Sequence, residues 1–198
     1  MAGSGARQAR EALARILLER SYLEADSEIF VLNSGQRSRF YFDCKRTTFH
    51  APAMPLLGEL FLERIRTAGR GARAVGGLTA GSDPIAFAVA LASLAGGEPL
   101  DAFSARKTPK DHGTRSWIEN CPAPGTRVVV VDDVATSGRS MIDAIERCAK
   151  EQLEVVHVIA LVDREAGGLE NVRRHVAPGT PVEAIFTKTW LEQLKGRA

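Results

Sequence analysis

Residues 128–140 read Val-Val-Val-Val-Asp-Asp-Val-Ala-Thr-Ser-Gly-Arg-Ser. The run of valines predicts a strand over Arg127 to Val131 that is buried on both faces of a sheet. Small and hydroxylated residues follow and predict a turn, and 138–150 has the pattern of a helix. A strand, a turn and a helix in this order form the unit from which parallel α/β sheets are built.

The same alternation of strands and helices continues on both sides of this stretch. Further strands are predicted at 73–77, 101–104, 155–162 and 182–186. Helices are predicted at 6–20, from Pro52 and Pro55 to about Ala68, at 83–94 and at 188–195, with a short helix before the last strand. Apolar runs at 29–32 and 40–42 flank Asn33-Ser34-Gly35 and predict a hairpin or paired strands.

This pattern indicates an α/β fold with a mostly parallel central sheet flanked by helices. The length of 198 residues suits one domain that spans 1–198. The first 50 or so residues are interpreted as an elaboration on the α/β core, because no linker separates them from it.

Two carboxylates, Asp132 and Asp133, follow the valine strand at its carboxyl end, which is where open α/β sheets bind ligands. The next helix offers unpaired N–H groups to a phosphate, and Thr136, Ser137 and Ser140 add hydroxyl donors. Adjacent carboxylates beside a phosphate need partners such as ribose hydroxyls or a bridging Mg²⁺. The stretch therefore predicts a ligand with both a phosphate and a cis-diol. The alternative is that the aspartates only cap the helix.

Several classes of protein are disfavoured by composition and by missing motifs. Neither a P-loop nor a Gly-x-Gly-x-x-Gly turn occurs, so nucleotide sites of those two kinds are not supported. The net charge of +2 is too small to indicate nucleic-acid binding. No apolar stretch approaches the roughly 20 residues of a membrane span. The three cysteines show no Cys-x-x-Cys spacing. We expect a cytoplasmic protein without nucleic-acid or membrane partners.

Four segments carry a resemblance to a known family. Residues 130–140 resemble the motif with which type I phosphoribosyltransferases bind phosphoribosyl pyrophosphate (PRPP). Three other segments are similar to parts of the orotate phosphoribosyltransferase family. The orotate-binding stretch of that family resembles residues 32–43 (Leu-Asn-Ser-Gly-Gln-Arg-Ser-Arg-Phe-Tyr-Phe-Asp), and its pyrophosphate-side loop resembles residues 76–86 (Gly-Gly-Leu-Thr-Ala-Gly-Ser-Asp-Pro-Ile-Ala). Its mobile catalytic loop resembles residues 106–113 (Arg-Lys-Thr-Pro-Lys-Asp-His-Gly). The matches follow the family's order from about residue 30 to residue 168.

The resemblance implies an enzyme of pyrimidine (UMP) biosynthesis that needs Mg²⁺. Such an enzyme converts orotate and PRPP to orotidine 5'-monophosphate and pyrophosphate. The resemblance also implies the type I phosphoribosyltransferase fold, with a small hood over the base formed by about residues 1–50 and the C-terminal end. A homodimer that shares the mobile loop between subunits is implied as well.

Residue roles are implied position by position. Asp132 and Asp133 would hold the ribose hydroxyls, with Mg²⁺ near them but held mainly through PRPP. Residues that would wrap the 5-phosphate are Ala135, Thr136, Ser137, Gly138, Arg139 and Ser140. Pyrophosphate would be contacted by Arg106, Lys107, Lys110 and His112, and the last three would be catalytic together with the aspartates. Orotate would be bound by Arg37, Tyr41, Phe42, Thr136 and Arg164.

Two positions depart from the family pattern. Arg37 stands where the family often has lysine, and Gly81 stands where many members have a lysine in the pyrophosphate-side loop. The positive charge at the pyrophosphate then falls more heavily on residues 106–113. For that basic segment the alternative is a solvated turn, for Arg164 it is a surface ion pair, and for the two aromatic residues it is core packing.

Two alternative functions stay open on the sequence alone. One is a phosphoribosyltransferase of the same superfamily that acts on another base. The other is a non-catalytic regulator that keeps the PRPP-binding fold and binds RNA.

Overall fold

The computed structural model describes residues 2–27, 30–31, 37–38, 40–69, 71–108 and 116–196. The N-terminal elements are α1 (Ala2–Arg20), β1 (Tyr22–Glu24), β2 (Phe30–Val31), β3 (Arg37–Ser38), β4 (Phe40–Phe42) and α2 (Lys45–Thr48). A 3₁₀ turn at Ala51–Ala53 leads into the remaining elements, which are α3 (Met54–Ala68), β5 (Ala74–Leu78), α4 (Asp83–Ser93), β6 (Asp101–Ala105), β7 (Ile118–Glu119), β8 (Arg127–Ala135), α5 (Arg139–Lys150), β9 (Glu154–Asp163), α6 (Gly168–Arg173), β10 (Val182–Thr187) and α7 (Lys188–Lys195).

The central sheet has six strands in the order β10-β9-β8-β5-β6-β7. Its first five strands are parallel, and the short β7 is antiparallel to β6 at the edge. The predicted mostly parallel sheet is confirmed. The strands and helices predicted from residue 54 onward are present with small shifts of their ends, except that β8 is longer than predicted.

The valines of β8 explain why this strand lies in the middle of the sheet. Val129 and Val131 face the layer that contains α1, α3 and α4, whereas Val128 and Val130 face the layer that contains α5 and α6. All four side chains are completely buried. A strand with an apolar side chain at every position can be covered on both faces, because successive side chains point to opposite sides.

The strand β8 continues beyond the predicted end at Val131. It pairs with β9 as far as Ala135, opposite Asp163. The acidic pair therefore belongs to the last part of a strand, not to the turn after it. The neighbouring strand supplies the hydrogen bonds that keep these polar residues extended.

The N-terminal strands pair differently from the prediction. The runs 29–32 and 40–42 were expected to pair with each other, but β2 pairs with β3 and β4 pairs with β1. The ring of Phe42 makes an edge contact with Tyr22, with centroids 5.1 Å apart. An aromatic cross-strand pair stabilises this register, and Tyr22 lies too far along the chain for a turn motif to reveal it.

Two helices of the first layer approach closely at one glycine. A Cβ atom on Gly58 of α3 would lie 2.5 Å from the carbonyl oxygen of Ala88 on α4. Only glycine permits this approach of the two backbones. Among the described helices, none combines the length and the apolar character that crossing a bilayer requires.

Candidate functional site

A cavity of about 600 Å³ opens beyond the carboxyl ends of the central strands. Its walls come from the end of β8 and the turn after it, from the turn after β5, and from the segment between β4 and α2. Lys107, just after β6, and Asn171 on α6 complete the lining. Segments distant in sequence meet here, because parallel strands bring their carboxyl ends to one edge of the sheet.

Asp132 and Asp133 line this cavity and are 6% and 5% exposed. The backbone N–H of Asp133 donates to Oδ1 of Asp132 at 3.0 Å. Burial raises the pKa of Asp132 well above its ordinary value, and the charge of Asp133 adds to that rise. Burial also raises the pKa of Asp133. Two acceptor groups held side by side out of water suit hydroxyl donors or a cation.

Lys45 is the partner that sequence reasoning missed. Its Nζ atom lies 3.6 Å from Oδ2 of Asp133, and the side chain is about half exposed. The charge of Asp133 raises the pKa of Lys45, which keeps the ammonium group protonated. Lys45 is the first residue of α2, three positions after the aromatic stretch. A single lysine in a short helix gives no sequence signal, and only the fold brings it to the acids.

Gly81 lies directly against the two carboxylates. A Cβ atom at this position would lie 2.7 Å from Oδ1 of Asp132 and 2.9 Å from Oδ1 of Asp133. The loop that contains it is held by Asp83, which accepts hydrogen bonds from Thr79 Oγ1 at 2.6 Å and from Ser104 Oγ at 2.7 Å. The absence of a side chain at position 81 therefore allows the loop to approach the acids.

The predicted phosphate turn forms the other end of the cavity. Thr136, Ser137, Gly138, Arg139 and Ser140 all line it. Gly138 precedes α5 with a φ of +78°, a conformation that favours glycine, and contributes no side-chain cap to the helix. The helix α5 therefore begins at the cavity, and the first N–H groups of a helix have no acceptor within the helix, as an anion site requires. One of them, that of Arg139, lies 3.4 Å from Oγ of Ser137.

The helix α6 supports this turn from behind. A Cβ on Gly138 would lie 2.6 Å from the carbonyl oxygen of Gly168, and a Cβ on Gly168 would lie 2.6 Å from that of Thr136. The side chain of Asn171 donates to the carbonyl oxygen of Ser137 at 3.0 Å. These contacts fix the shape of the turn, and neither Gly168 nor Asn171 was predicted as a site residue.

The aromatic residues predicted for the base have different environments. Tyr41 lines the cavity, is 37% exposed and stacks on Phe30 with centroids 5.7 Å apart. Phe42 also touches the cavity but is 3% exposed and belongs to the core. The core-packing alternative thus fits Phe42 better than it fits Tyr41. Ala135, predicted at the phosphate, is fully buried behind the turn.

The two arginines predicted near the base lie at different places. Arg164 follows β9, and its backbone N–H donates to the carbonyl oxygen of Ala135 at 3.0 Å. Burial lowers the pKa of Arg164, whereas the charges of Tyr41 and Cys44 act in the opposite direction. Arg164 is not among the described residues that line the cavity. Arg37 lies on β3 and is not among the described residues that line the cavity.

Residues 106–108 of the basic segment are among those that the structure describes. Lys107 lines the cavity. Arg106 forms an ion pair with Glu119 on β7, with Nε 2.6 Å from Oε1. The predicted residues Lys110 and His112 lie outside the described residues.

A family model describes the central part of the chain. Residues 50–176 match the model of the phosphoribosyl transferase domain. This match includes the turn at Gly81, the acidic pair and the phosphate turn, which the geometry above brings into one cavity.

Curated relatives and solved structures match over most of the chain. The orotate phosphoribosyltransferase of Aquifex aeolicus is 42% identical over 177 residues, which are 89% of this chain and 94% of the relative. That of Sorangium cellulosum is 40% identical over 95% of both chains. The crystal structure of the Mycobacterium tuberculosis orotate phosphoribosyltransferase in complex with PRPP is 32% identical and has a TM-score of 0.75, over 93% of this chain and 99% of the other.

Proposed function

The chain belongs to the orotate phosphoribosyltransferase family, and we propose that the cavity beyond β8 is where it transfers the phosphoribosyl group of PRPP to orotate. The observation that carries this proposal is the arrangement of one strand and one helix. The strand β8 ends in two buried carboxylates, and the helix α5 begins at an open phosphate turn in the same cavity. The product would be orotidine 5'-monophosphate, an intermediate of UMP biosynthesis.

We assign PRPP to the acidic pair and the phosphate turn. Ribose hydroxyls would donate to Asp132 and Asp133, which have few other donors within the described residues. The 5-phosphate would accept hydrogen bonds from the first turn of α5 and from hydroxyls of Thr136, Ser137 and Ser140. Bound hydroxyls would replace the water that burial removes from the carboxylates.

The acidic pair also fits Mg²⁺ chemically. Mg²⁺ prefers oxygen ligands and is commonly held by one or two carboxylates together with substrate phosphates. Within the described part of the chain, no group of three or more His, Cys, Asp or Glu could hold a metal ion. PRPP would therefore have to complete the coordination. Bound Mg²⁺ would neutralise negative charge on the diphosphate and make pyrophosphate a better leaving group.

Ribosyl transfer breaks the bond between C1 of the ribose and pyrophosphate, so charge separates in the transition state. Lys107 lies at the cavity and would stabilise the leaving pyrophosphate electrostatically. We propose that Arg106, Lys110 and His112 assist it, with His112 as a hydrogen-bond or proton donor. The carboxylates of Asp132 and Asp133 would favour the positive charge that develops on the ribose ring.

Orotate would bind at the tyrosine end of the cavity. Tyr41 lines the cavity and would contact the pyrimidine ring, and Arg164 is proposed as the always-charged partner of the orotate carboxylate. Arg37 and Phe42 are proposed to contribute to orotate binding as well. Thr136, which lines the cavity between the two ends, would contact both ligands.

The N-terminal and C-terminal segments pack together, which supports a hood within a single domain. The guanidinium carbon of Arg10 on α1 lies 4.1 Å from the centroid of the Trp190 ring on α7. Tyr22 Oη donates to Glu192 at 3.4 Å, and Lys195 pairs with Glu24. We propose that these contacts hold the β1–β4 region over the base.

A homodimer is proposed from an exposed apolar stripe on α4 and the turn after it. Phe87, Leu91 and Leu94 are 59%, 73% and 63% exposed and recur at helical spacing. A contiguous apolar surface of this kind marks an interface more often than a solvated face. The helix α4 begins directly after the loop at Gly81, so a second copy on this stripe would lie beside the active site.

The activity is tested with purified protein, PRPP, Mg²⁺ and orotate, by following the loss of orotate absorbance. Uracil, adenine, guanine and hypoxanthine are assayed in parallel. We expect turnover with orotate alone and a loss of roughly 100-fold or more in Lys107→Ala. The exposed Lys150 provides a matched control, and Lys150→Ala should keep the parent's rate.

Other outcomes identify the alternatives. Turnover with another base and none with orotate would keep the fold and overturn the substrate. Silence with all bases, together with RNA binding that weakens steeply with salt, would indicate the regulator.

A further inference from the structure

Arg147 on α5 contacts both ends of the segment that joins β6 to β7. Its Nη2 atom donates to the carbonyl oxygen of Lys107 at 3.2 Å. Its guanidinium carbon lies 4.9 Å from the centroid of the Trp117 ring, at the other end of the same segment. One side chain of α5 thus contacts both the beginning and the end of the segment between β6 and β7.

The two ends of that segment are already held side by side. The backbone N–H of Arg106 donates to the carbonyl oxygen of Trp117 at 2.8 Å. The pairs Ser104–Glu119 and Ala105–Ile118 continue the ladder into the sheet. We call Arg106, Lys107 and Trp117 the neck of the loop. Because the pairing of β6 with β7 already holds the residues of the neck together, the contacts of Arg147 can fix the position of the neck relative to α5.

The residue type supports a bridging role. A guanidinium group is planar and can stack on an indole ring while its edge donates to a carbonyl group, whereas an ammonium group has no planar face to stack. The Nε atom of Arg147 is buried and has no hydrogen-bond partner among the described residues. Leaving such a donor unsatisfied costs free energy, which the stack and the bond to the carbonyl group must offset.

The same helix carries the phosphate turn at its N-terminus. Arg147 follows Arg139 by eight positions, which corresponds to about 12 Å along a helix axis. PRPP carries its 5-phosphate and its diphosphate at opposite ends of the ribose. The groups that hold the two ends must therefore be kept at a fixed separation, and misplacement by about 1 Å can cost roughly 100-fold in rate.

We propose that Arg147 is a positioning residue for the transfer reaction, which sets Lys107 at a fixed distance from the phosphate turn. This inference rests on the proposed function of the cavity. Lys107 has a flexible side chain, so its placement depends on where its backbone is held. Arg147 holds that backbone through the carbonyl oxygen, and the stack on Trp117 holds the guanidinium in turn.

The test compares Arg147→Met and Arg147→Lys with Lys150→Met. Lys150 is the matched control, because its Nζ atom also lies over the Trp117 ring, at 5.3 Å. We expect Arg147→Met to lower kcat/KM for PRPP by about tenfold or more, Arg147→Lys to recover part of the loss, and the control to stay within about twofold. The KM for orotate should not change.

A double-mutant cycle with Lys107→Ala separates positioning from a general structural effect. If Arg147 acts through Lys107, Arg147→Met should slow the Lys107→Ala enzyme little or not at all. An equal loss in both backgrounds, or no loss in the parent, would overturn the inference. Circular dichroism and the melting temperature show whether Arg147→Met is folded. If it is not, Arg147→Lys replaces it in the double-mutant cycle. A parent enzyme that turns over no orotate would refute the proposed function itself.

Discussion

A methyl group at position 81 should damage catalysis and leave the fold intact. The Cβ atom of an alanine there would lie 2.7 Å from Oδ1 of Asp132 and 2.9 Å from Oδ1 of Asp133, whereas ordinary van der Waals contact begins at 3.4 Å. The two carboxylates must therefore move by about 0.7 Å and 0.5 Å, or the loop must retreat by a similar distance. Either movement changes the place where the ribose hydroxyls would bind.

We expect Gly81→Ala to lower kcat/KM for PRPP roughly 10- to 100-fold, because displacements of about 1 Å have effects of that size. The corresponding loss of transition-state stabilisation is about 1.4–2.7 kcal/mol. The melting temperature should change little, since carboxylate side chains can rotate whereas backbone cannot. The measurements are steady-state kinetics with PRPP as the varied substrate and a thermal melt of the same preparation.

Two other glycines give matched controls. Gly5→Ala meets no atom within 4 Å and should leave the kinetics unchanged, while the better helix former at this position of α1 should keep or slightly raise the melting temperature. Gly58→Ala would place its Cβ 2.5 Å from a backbone oxygen of Ala88, so it should lower the melting temperature. Normal kinetics in Gly81→Ala would refute the idea that the acids must stay in place. A loss of stability like that of Gly58→Ala would show that the loop at Gly81 has a structural role.

Three further substitutions test the remaining parts of the site. Asp132→Asn should abolish turnover yet stabilise the protein by about 1–2 kcal/mol, because a buried carboxylate with a raised pKa opposes folding once the pH exceeds the ordinary pKa of aspartate. The gain in melting temperature should therefore be larger near pH 8 than near pH 4. A gain that does not depend on pH would contradict this cause. Lys45→Met should raise the KM for PRPP, whereas Lys45→Arg should retain most of the activity. The effect of Lys45→Met on the free energy of unfolding should stay within about 1 kcal/mol, because the ion pair with Asp133 is half exposed. Equal kinetics of the two variants would exclude a role for the charge. Arg164→Met should raise the KM for orotate and leave that for PRPP unchanged, and the reverse pattern in initial-rate measurements would move Arg164 to the PRPP end.

The central sheet could be predicted from sequence because its signal is local. Four consecutive valines in β8 bury both faces of one strand, and no partner is needed to recognise that. The acidic pair and the small residues after it could also be read as a ligand site, since strand, turn and helix are adjacent along the chain. Both conclusions use residues within about a dozen positions of one another.

Features that depend on distant partners could not be predicted in the same way. The pairing of β4 with β1 is set by contacts such as that between Tyr22 and Phe42, which no turn residue announces. The ion pair of Lys45 with Asp133 joins a short helix near the N-terminus to a strand some ninety residues later. The bond from Arg147 to the Lys107 carbonyl is equally non-local.

Burial of Asp132 and Asp133 has a free-energy cost for folding, and burial of the valines in the same strand opposes that cost. Burying an ionised carboxylate opposes folding by several kcal/mol. Full burial of Val128, Val129, Val130 and Val131 contributes roughly 1.5–3 kcal/mol each, as an upper estimate. The apolar part of the strand that places the acids in the cavity thus contributes stabilisation of the same order as their cost. Because the ion pair with Lys45 is half exposed, its strength is low, and a ligand that donates to both carboxylates can replace it without a large loss.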